Sequence, residues 1–210
     1  MATLILVRHA KSEWNDLGKW TGWQDVSLAE EGLQQAADTA EQLRTITIDK
    51  AYVSDLKRCT QTLSIILERL GLAHIPVVVD PAIKERDYGV FTGKNKWEIK
   101  EQIGEAAFQK LRRGWNTSIE KGETLQDVYN RAVPYFTQTI LPDVMGGKNV
   151  LVVSSGNSLR AIVKYLEHIS DEAIADVEIG VGEAYLYTMN KKGEVTSKEI
   201  RAENAQKGKI

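Results

Sequence analysis

The sequence predicts an α/β protein: a three-layer α/β/α sandwich around a mainly parallel central sheet. Short apolar runs of strand length alternate with longer segments of helical periodicity, a pattern typical of parallel strands joined by helical crossovers. The apolar fraction of 42% and the charged fraction of 27% are those of an ordinary globular protein. Because no repeat or low-complexity segment divides the chain, we interpret residues 1–210 as one domain with a frayed polar tail at 201–210.

The first elements follow from a short apolar run and a capping pattern. Residues 3–7 are predicted as a central strand. Residues 10–26 are polar and contain two glycines, which indicates a long loop. Ser27 with Glu30 fits a capping box, so segment 28–44, rich in Ala, Gln, Glu and Leu, is predicted as a helix.

Two more strands and a helix follow in alternation. Residues 50–54 are predicted as the second strand, and residues 56–70 as a helix that ends at Gly71. The third strand is predicted at 76–79, where β-branched residues follow a proline.

The middle of the chain has irregular segments around two helical ones. Residues 82–95 are predicted as a loop, 96–114 as helix with a break near Gly104, and 114–122 as a linker. We expect 82–122 to form a cap over the active site.

The last third of the chain continues the alternation. A helix is predicted over 123–141 with a kink at Pro134, followed by a buried strand at 150–153. The next segment has its apolar residues at the spacing of an amphipathic helix, namely Leu159, Ile162, Val163 and Leu166. Late strands are predicted at 185–189 and 194–200.

Charge and cysteine content exclude several classes of partner and site. The net charge of −2 offers no general attraction to nucleic acid or to an anionic membrane, so we expect neither partner. Cys59 is the single cysteine, which excludes an intrachain disulfide and a cysteine-based metal site, and it is predicted to be a packing residue. The start of the chain lacks the pattern of a signal peptide, so a cytoplasmic protein is expected.

The carboxyl ends of the predicted strands collect the polar residues that suggest chemistry. In open α/β sheets, ligands bind beyond these ends. A glycine turn that opens a helix after the fourth strand aims backbone N–H groups at an anion. The residues that follow the four strands in turn are Arg8, His9, Ser12 and Asn15; Ser54 and Arg58; Glu85, Arg86 and Tyr88; and Ser154, Ser155, Gly156 and Asn157.

His9 is the candidate nucleophile of this group. A lone histidine is more often a packing residue, but His9 follows Arg8, whereas His74 and His168 lie in polar surroundings and are predicted to be at the surface. A neutral imidazole can attack phosphorus while arginines hold the phosphoryl oxygens. Nearby guanidinium groups also keep the imidazole unprotonated, and their charge makes a metal ion unnecessary, so we expect no metal.

Several motifs carry a resemblance to a known family. In chain order they are "LVRHAKSEWN", "TGWQDVSLAEEG", "SDLKRCTQT", "KERDYGVFTGKNK", "LRRGW", "GETLQDVYNRAVPYF" and "GNSLRAIVKYLE". From about residue 3 to about residue 200 the chain resembles the cofactor-dependent phosphoglycerate mutases of the histidine phosphatase superfamily. The Arg-His motif alone marks only the superfamily, whereas "TGW", the "ER-Y-G" motif with Lys96 and the Arg112-Arg113 pair are much more specific to the mutase branch.

The resemblance implies a phosphoglycerate mutase-like fold and a role for each matching residue. His9 would carry a phosphoryl group, Arg8 and Arg58 would clamp it, and Glu85 would be the general acid/base for the substrate hydroxyl. The remaining residues would bind the phosphoryl group or the rest of a three-carbon acid, and they are Ser12, Asn15, Thr21, Gly22, Arg86, Tyr88, Lys96, Arg112, Arg113, Gly156 and Asn157. The implied cofactor is 2,3-bisphosphoglycerate as a primer, and the implied assembly is a homodimer or homotetramer.

Ser155 is the main departure from the family pattern. The family has a second histidine there, which donates to the transferring phosphoryl group, whereas Ser155 is shorter and neutral. Loss of one charge-assisted donor costs on the order of 3 kcal/mol, or roughly a hundredfold in rate. Two smaller departures are Ala10-Lys11 after the Arg-His pair and Gly182-Glu183-Ala184 in a region that is usually apolar with proline.

Three functions remain open at this point. The first is a mutase, slowed by Ser155, that interconverts 3-phosphoglycerate and 2-phosphoglycerate through phosphohistidine. The second is a histidine phosphatase acting on small phosphorylated metabolites. The third is a non-catalytic pseudoenzyme that binds phosphate. Glu85, Lys96 and the Arg112-Arg113 pair favour the first, because a phosphatase needs only one basic end and a binding module needs no acid/base.

Overall fold

A computed structural model describes residues 1–205 and 207 of the chain. Within this part, the strands form one sheet in the order β3-β2-β4-β1-β5-β6. The strands are β1 (Ala2–Arg8), β2 (Lys50–Val53), β3 (Val77–Val79), β4 (Val150–Ser154), β5 (Ala184–Met189) and β6 (Val195–Arg201).

Neighbouring strands from β3 to β1 run parallel, while β5 and β6 are antiparallel to their neighbours. The prediction of a mainly parallel sheet is therefore confirmed. In the centre, β1 lies between β4 and β5. Because β1, β2 and β4 point the same way, their carboxyl ends meet at one edge of the sheet, where a ligand site is expected.

Helices and short turns connect the strands. The α-helices are α1 (Glu13–Asp16), α2 (Glu30–Leu43), α3 (Lys57–Arg69), α4 (Lys96–Ile103), α5 (Glu105–Arg113), α6 (Leu125–Tyr135), α7 (Leu141–Met145) and α8 (Gly156–Leu166). The 3₁₀ turns are Pro81–Ile83, Gly89–Phe91 and Ala173–Asp176, and a π-helical turn, Phe136–Ile140, joins α6 to α7.

The two faces of the sheet are covered by different helices. Alternate residues of a strand point to opposite faces. Leu4 and Leu6 accordingly pack in one core with residues of α6, α7 and α8. Ile5 and Val7 pack in a second core with residues of α2 and α3. This arrangement confirms the three-layer sandwich.

Segment 82–122 contributes a small separate core next to the sheet edge. Its buried members are Trp20, Tyr88, Ile99, Phe108, Leu111 and Ile119. The predicted helix break is confirmed, because Gly104 has a φ of 80° and separates α4 from α5. This packing places Lys96 at the start of α4 and Arg112 and Arg113 at the end of α5.

Two local predictions near the amino terminus are wrong. The predicted loop 10–26 contains α1, which Ser12 caps in a reciprocal pair of hydrogen bonds with Asn15. Ser27 does not cap α2, which begins at Glu30 without a side-chain cap. The backbone of residues 27–29 is instead paired with residues 11–13, which delays the start of the helix.

Predictions for the later segments differ less from the structure. Pro134 lies in the last turn of α6, and the π-helical turn begins two residues later, so the helical hydrogen-bonding pattern changes near the predicted kink. The predicted frayed tail falls partly on residues 206 and 208–210, which lie outside the described residues. In its described part, Asn204 and Lys207 contact Glu183.

Candidate active site

The carboxyl ends of β1 and β4 place the first catalytic candidates side by side. His9 directly follows β1, and its backbone N–H donates to the carbonyl of Ser154 at the end of β4 (2.9 Å). The next turn of the chain after β4 opens helix α8 at Gly156, whose α-carbon faces the Arg8 side chain. The glycine turn and the Arg-His pair therefore share one corner of the sheet.

The imidazole of His9 is held in one tautomer. Its Nδ1–H donates to the carbonyl of Ala10 (2.8 Å), and its Nε2 accepts a hydrogen bond from Nε of Arg58 (3.2 Å). The ring is buried, with 3% of the residue exposed. Burial, then the charges of Arg58 and Arg8, hold the pKa of His9 well below its ordinary value. The ring is therefore neutral, and Nε2 carries the lone pair that can act as a nucleophile.

The two arginines around His9 are themselves fixed by backbone carbonyls. Arg58 donates from Nη1 to Gln24 (3.0 Å) and from Nη2 to Gly22 (2.9 Å). Arg8 donates from Nη1 to the carbonyl of Ile179 (2.6 Å), and within the described residues its buried Nε has no hydrogen-bond partner. Both guanidinium groups are thus oriented before any ligand binds, which is the arrangement needed to hold phosphoryl oxygens.

Ser155 lies against Arg58 and Cys59. Its hydroxyl oxygen is 3.4 Å from Nη2 of Arg58 and 3.7 Å from Sγ of Cys59, and the residue is fully buried. Burial raises the pKa of the Cys59 thiol to about 11, so this cysteine is an uncharged packing residue, as predicted. A hydroxyl therefore stands where the family resemblance implies an imidazole.

Glu85 faces the same corner from the segment after β3. Its Oε1 accepts from the backbone N–H of Arg86 (2.7 Å) and from that of Asn157 (3.3 Å), in the first turn of α8. The side-chain amide of Asn157 donates from Nδ2 to the hydroxyl of Tyr88 (2.9 Å). Glu85 is buried, with 8% of the residue exposed, and it lines the cleft. Its carboxylate can therefore exchange a proton with the hydroxyl of a bound ligand.

Two adjoining chambers, which share five lining residues, make up the cleft. The inner chamber, with about 330 Å³ of empty volume, is lined by His9, Asn15, Lys19, Thr21, Gly22 and Arg58. The outer chamber, with about 470 Å³, is lined by Arg112, Arg113, Gly156, Asn157, Arg160, Glu178 and Ile179. Both chambers share Arg8, Trp20, Glu85, Tyr88 and Lys96. A ligand with two anionic ends can therefore reach His9 with one end and the α5 arginines with the other.

The outer chamber is strongly basic. Burial, then the neighbouring Arg112 and Arg8, lower the pKa of Lys96 to about 7. Burial is also the main cause of the lowered pKa of Arg112. For Arg160, burial is again the main cause, and the pKa falls to about 10. An anion placed among these groups would offset the cost of burying their charges and would reduce their mutual repulsion.

Most of the predicted site residues line the cleft, whereas Ser12, Arg86 and Ser155 lie behind its walls. Ser12 caps α1. Arg86 is fully buried, donates to the carbonyl of Leu111 (2.8 Å) and stacks on Tyr88, with 4.6 Å between Cζ and the ring centroid.

The prediction from sequence missed other residues that line the cleft. Trp20 and Arg160 lie inside or next to the quoted motifs "TGW" and "GNSLR", so their position was a usable signal. Glu178 and Ile179 come after α8, far from any predicted strand end, and the sequence holds no comparable signal for them.

Clusters of metal ligands and membrane-spanning helices are the remaining features that bear on the site. In residues 1–205 and 207, no group of three or more His, Cys, Asp or Glu side chains is arranged to hold a metal ion. Over the same part of the chain, no helix combines the length and the apolar character needed to cross a membrane.

Comparison with known proteins agrees with this geometry. The profile of the histidine phosphatase superfamily (branch 1) matches residues 4–199. The chain is 38% identical to the 2,3-bisphosphoglycerate-dependent phosphoglycerate mutase of Parvibaculum lavamentivorans, over 95% of this chain and 96% of that one. It is 42% identical to the enzyme of the same name from Nitrobacter hamburgensis, over 93% and 95% of the two chains.

Solved structures of lower identity share the fold. Bacillus stearothermophilus YhfR superposes with a TM-score of 0.82 at 25% identity, over 98% of both chains. A mycobacterial glucosyl-3-phosphoglycerate phosphatase also has a TM-score of 0.82, at 22% identity, over 98% of this chain and 100% of that one. The chain therefore belongs to the histidine phosphatase superfamily, and within it to the family of 2,3-bisphosphoglycerate-dependent phosphoglycerate mutases.

Proposed function

We propose that the protein interconverts 3-phosphoglycerate and 2-phosphoglycerate through a phosphohistidine at His9. The observation that carries the proposal is the hydrogen bond from Arg58 Nε to His9 Nε2 (3.2 Å), inside a cleft whose far end is lined by the α5 arginines. A nucleophile at one end and a second anion site at the other are what a mutase requires. The identity of 38–42% to curated mutases over most of the chain supports the same function.

Phosphoryl transfer at His9 uses groups that are already in position. The hydrogen bond from Nε of Arg58 to Nε2 of His9 breaks, which frees the Nε2 lone pair. Nε2 then forms a bond to phosphorus as the bond from phosphorus to the donor oxygen breaks, while Arg8 and Arg58 stabilise the charge on the phosphoryl oxygens. The Nδ1–H hydrogen bond to Ala10 supports the imidazole as it becomes positively charged. The step needs no rearrangement of the imidazole.

Glu85 handles the proton of the substrate hydroxyl. When the phosphoryl group leaves His9, the N–P bond breaks, a P–O bond to the phosphoglycerate hydroxyl forms, and Glu85 takes the hydroxyl proton. In the reverse direction Glu85 returns the proton to the leaving oxygen. Its hydrogen bonds from the N–H groups of Arg86 and Asn157 orient the carboxylate for both steps.

The cleft also fits the primer 2,3-bisphosphoglycerate, which would supply the phosphoryl group that charges His9. Of the arginines that line the cleft, Arg8, Arg113 and Arg160 each have a buried Nε with no hydrogen-bond partner among the described residues. Unpaired buried donors are costly, so an anionic ligand that accepts from them is favoured. Arg8 and Arg58 would hold one phosphate, and Lys96, Arg112 and Arg113 would hold the other end.

Ser155 is expected to slow the enzyme without abolishing catalysis. Its neutral hydroxyl lies next to Arg58, whereas His9, Arg8 and Glu85 keep their geometry. The loss of one charged donor would reduce the rate roughly a hundredfold.

One labelling experiment separates the three functions. The protein is incubated with labelled 2,3-bisphosphoglycerate, acid-labile phosphate on His9 is measured, and formation of 2-phosphoglycerate is assayed with and without the primer. Label with primer-stimulated isomerisation supports the mutase. Release of inorganic phosphate alone identifies a phosphatase, and absence of label identifies a non-catalytic binding protein.

Two histidine variants control the experiment. His9→Asn removes the nucleophile and should abolish the label. His74→Asn changes an exposed histidine outside the cleft and should leave the label unchanged. Label that survives in the His9→Asn variant would contradict the assignment of the nucleophile.

The proposal includes a homodimer or homotetramer in the cytoplasm. The edge strand β3 supports self-association, because its Val77 and Val79 side chains are 43% and 54% exposed. Sedimentation velocity should show a species of at least twice the chain mass, and the double variant Val77→Lys/Val79→Lys should sediment as a monomer. A monomeric wild-type protein would refute this part of the proposal.

A further inference from the structure

Glu178 places a carboxylate inside the basic outer chamber of the cleft. It follows the turn Ala173–Asp176 and forms ion pairs with Nη2 of Arg113 and, at 3.7 Å, with Nη2 of Arg112. The three side chains are only 12–20% exposed. An ion pair with so little exposure is screened far less than one at the surface.

In the unliganded protein, the Glu178 carboxylate balances part of the positive charge of the outer chamber. The cationic side chains that line the outer chamber are Arg8, Lys96, Arg112, Arg113 and Arg160, against the two carboxylates Glu85 and Glu178. Oε1 of Glu85 already accepts from two backbone N–H groups. Glu178 therefore adds a compensating charge at the α5 end, beside two largely buried guanidinium groups.

A bound substrate reverses this effect. An anionic group that reaches Arg112 and Arg113 must compete with Glu178 for them, because the two negative charges repel each other. We propose that Glu178 is a specificity-determining residue: it is the internal counter-ion of the arginine pair, and only a substrate with a second anionic group displaces it. The inference rests on the proposed function, because it assigns the outer chamber to the far end of the substrate.

The backbone around Glu178 is fixed, so the displacement is confined to its side chain. The carbonyl of Ile179 accepts from Arg8, and the N–H of Gly180 donates to Glu183 (2.8 Å). The N–H of Gly182 donates to the carbonyl of Arg8 (3.2 Å). Ligands with a single anionic group bind beside His9 and leave the ion pair of Glu178 intact, whereas phosphoglycerates must break it.

Calorimetric binding to unphosphorylated protein tests the inference. We expect Glu178→Gln to bind 3-phosphoglycerate on the order of tenfold more tightly than the wild type, because one competing charge is removed. The affinity for orthophosphate, which has one anionic group, should change less than twofold. In steady-state assays the KM for 3-phosphoglycerate should fall while kcat does not rise. The matched control Asp176→Asn removes an exposed charge two residues away and should change neither affinity.

Two results would overturn the inference: equal or weaker binding of 3-phosphoglycerate to Glu178→Gln, or the same gain for orthophosphate. Weaker binding would mean that Glu178 only positions the arginines. If Glu178→Gln fails to fold, Glu178→Asp withdraws the carboxylate by one methylene and should give an intermediate gain. Binding does not depend on turnover, so a wild type that binds 3-phosphoglycerate without isomerising it would refute the proposed function and leave this inference standing.

Discussion

The chemistry of His9 depends on contacts made by both of its ring nitrogens. The carbonyl of Ala10 can only accept, so Nδ1 carries the proton, and Nε2 is left to accept from Arg58. The same arginine then faces the phosphoryl oxygens. One guanidinium group therefore sets the state of the nucleophile and stabilises the charge that develops on its target.

Restoring an imidazole at position 155 should accelerate phosphorylation of His9. Sγ of Cys59 lies 3.7 Å from the Ser155 hydroxyl, so the larger ring needs space, and we expect the double variant Ser155→His/Cys59→Ala to be the productive one. Its rate of labelling by 2,3-bisphosphoglycerate should exceed that of Cys59→Ala by about ten- to a hundredfold, the usual effect of a charged donor. Rapid-quench measurement of labelled protein provides the rates, and equal rates would contradict the role given to the missing donor.

Binding of a phosphoglycerate should draw a proton into the cleft through Lys96. The pKa of about 7 makes this amine mostly neutral at pH 8, and a bound anion raises that pKa, so up to about one proton is taken up on binding. At pH 6 the amine is already charged and takes up none. Titration calorimetry with 3-phosphoglycerate in two buffers of different ionisation enthalpy measures the uptake.

Two methionine variants control that measurement. Lys96→Met should abolish the uptake at pH 8 and weaken binding, whereas Lys94→Met removes an exposed amine nearby and should leave the uptake unchanged. Identical binding enthalpies in both buffers for the wild type would show that Lys96 is already protonated at pH 8.

The residues that could be predicted from sequence are those whose place is set by a strand end. Arg8 is the last residue of β1, His9 directly follows it, and Gly156 lies two residues after the end of β4, so the topology alone brings them together. Glu178 was missed because its position depends on how the chain packs after α8. Sequence also does not tell a buried structural arginine such as Arg86 from one that lines the cleft.

At the scale of elements, helix α2 supports the loop that follows His9. Its Gly32 is buried against the backbone of Lys11, and the N–H of Ala29, which precedes the helix, donates to the carbonyl of Lys11 (3.0 Å). The neighbouring Ala10 is held by a hydrogen bond from its N–H to Thr62 of α3 (3.1 Å). The segment that orients the imidazole is thus fixed by two helices of one layer.

Gly32→Ala should therefore destabilise the protein, although alanine in a helix is normally about 1 kcal/mol more favourable than glycine. The added methyl would lie 2.0 Å from the carbonyl oxygen of Lys11, so the loop or the helix must move. We expect a net loss of about 2 kcal/mol in the free energy of unfolding, as for overpacked sites. Urea denaturation measures it, and slower labelling of His9 should accompany it. Gln34→Ala, at an exposed position of α2, should stay within about 0.5 kcal/mol of the wild type.

Helices and strands were predicted from periodicity far better than their ends. Segment 28–44 was predicted as a helix and α2 spans Glu30–Leu43, but the cap assigned to Ser27 is absent because residues 27–29 pair with another loop. Tertiary pairing of this kind leaves no local signal. The order of strands in the sheet, with β5 and β6 antiparallel at one side, likewise depends on long-range contacts.

At the scale of the molecule, Asn204 and Lys207 are linked to the cleft through Glu183. This buried carboxylate accepts from the N–H of Asn204 (3.0 Å), pairs with Nζ of Lys207 (2.9 Å) and accepts from the N–H of Gly180. The adjoining residue Ile179 holds Arg8. Glu183 thereby connects Asn204 and Lys207 to Arg8, the arginine proposed to hold the phosphoryl group.

Lys207→Met should leave the Glu183 carboxylate buried without its cation. Since Glu183 is fully buried and the Lys207 side chain is 30% exposed, we expect a loss of about 1–3 kcal/mol in the free energy of unfolding, below that of a wholly buried pair. Adding Glu183→Gln removes the buried carboxylate charge that Lys207→Met leaves unpaired. The double variant should therefore lose less free energy of unfolding than the sum of the two single variants, with a coupling of about 1 kcal/mol. Urea denaturation of the wild type, the two single variants and the double variant provides the double-mutant cycle. The control is Lys191→Met, which changes an exposed lysine. Strictly additive losses would mean that the ion pair between Lys207 and Glu183 contributes no coupling to stability.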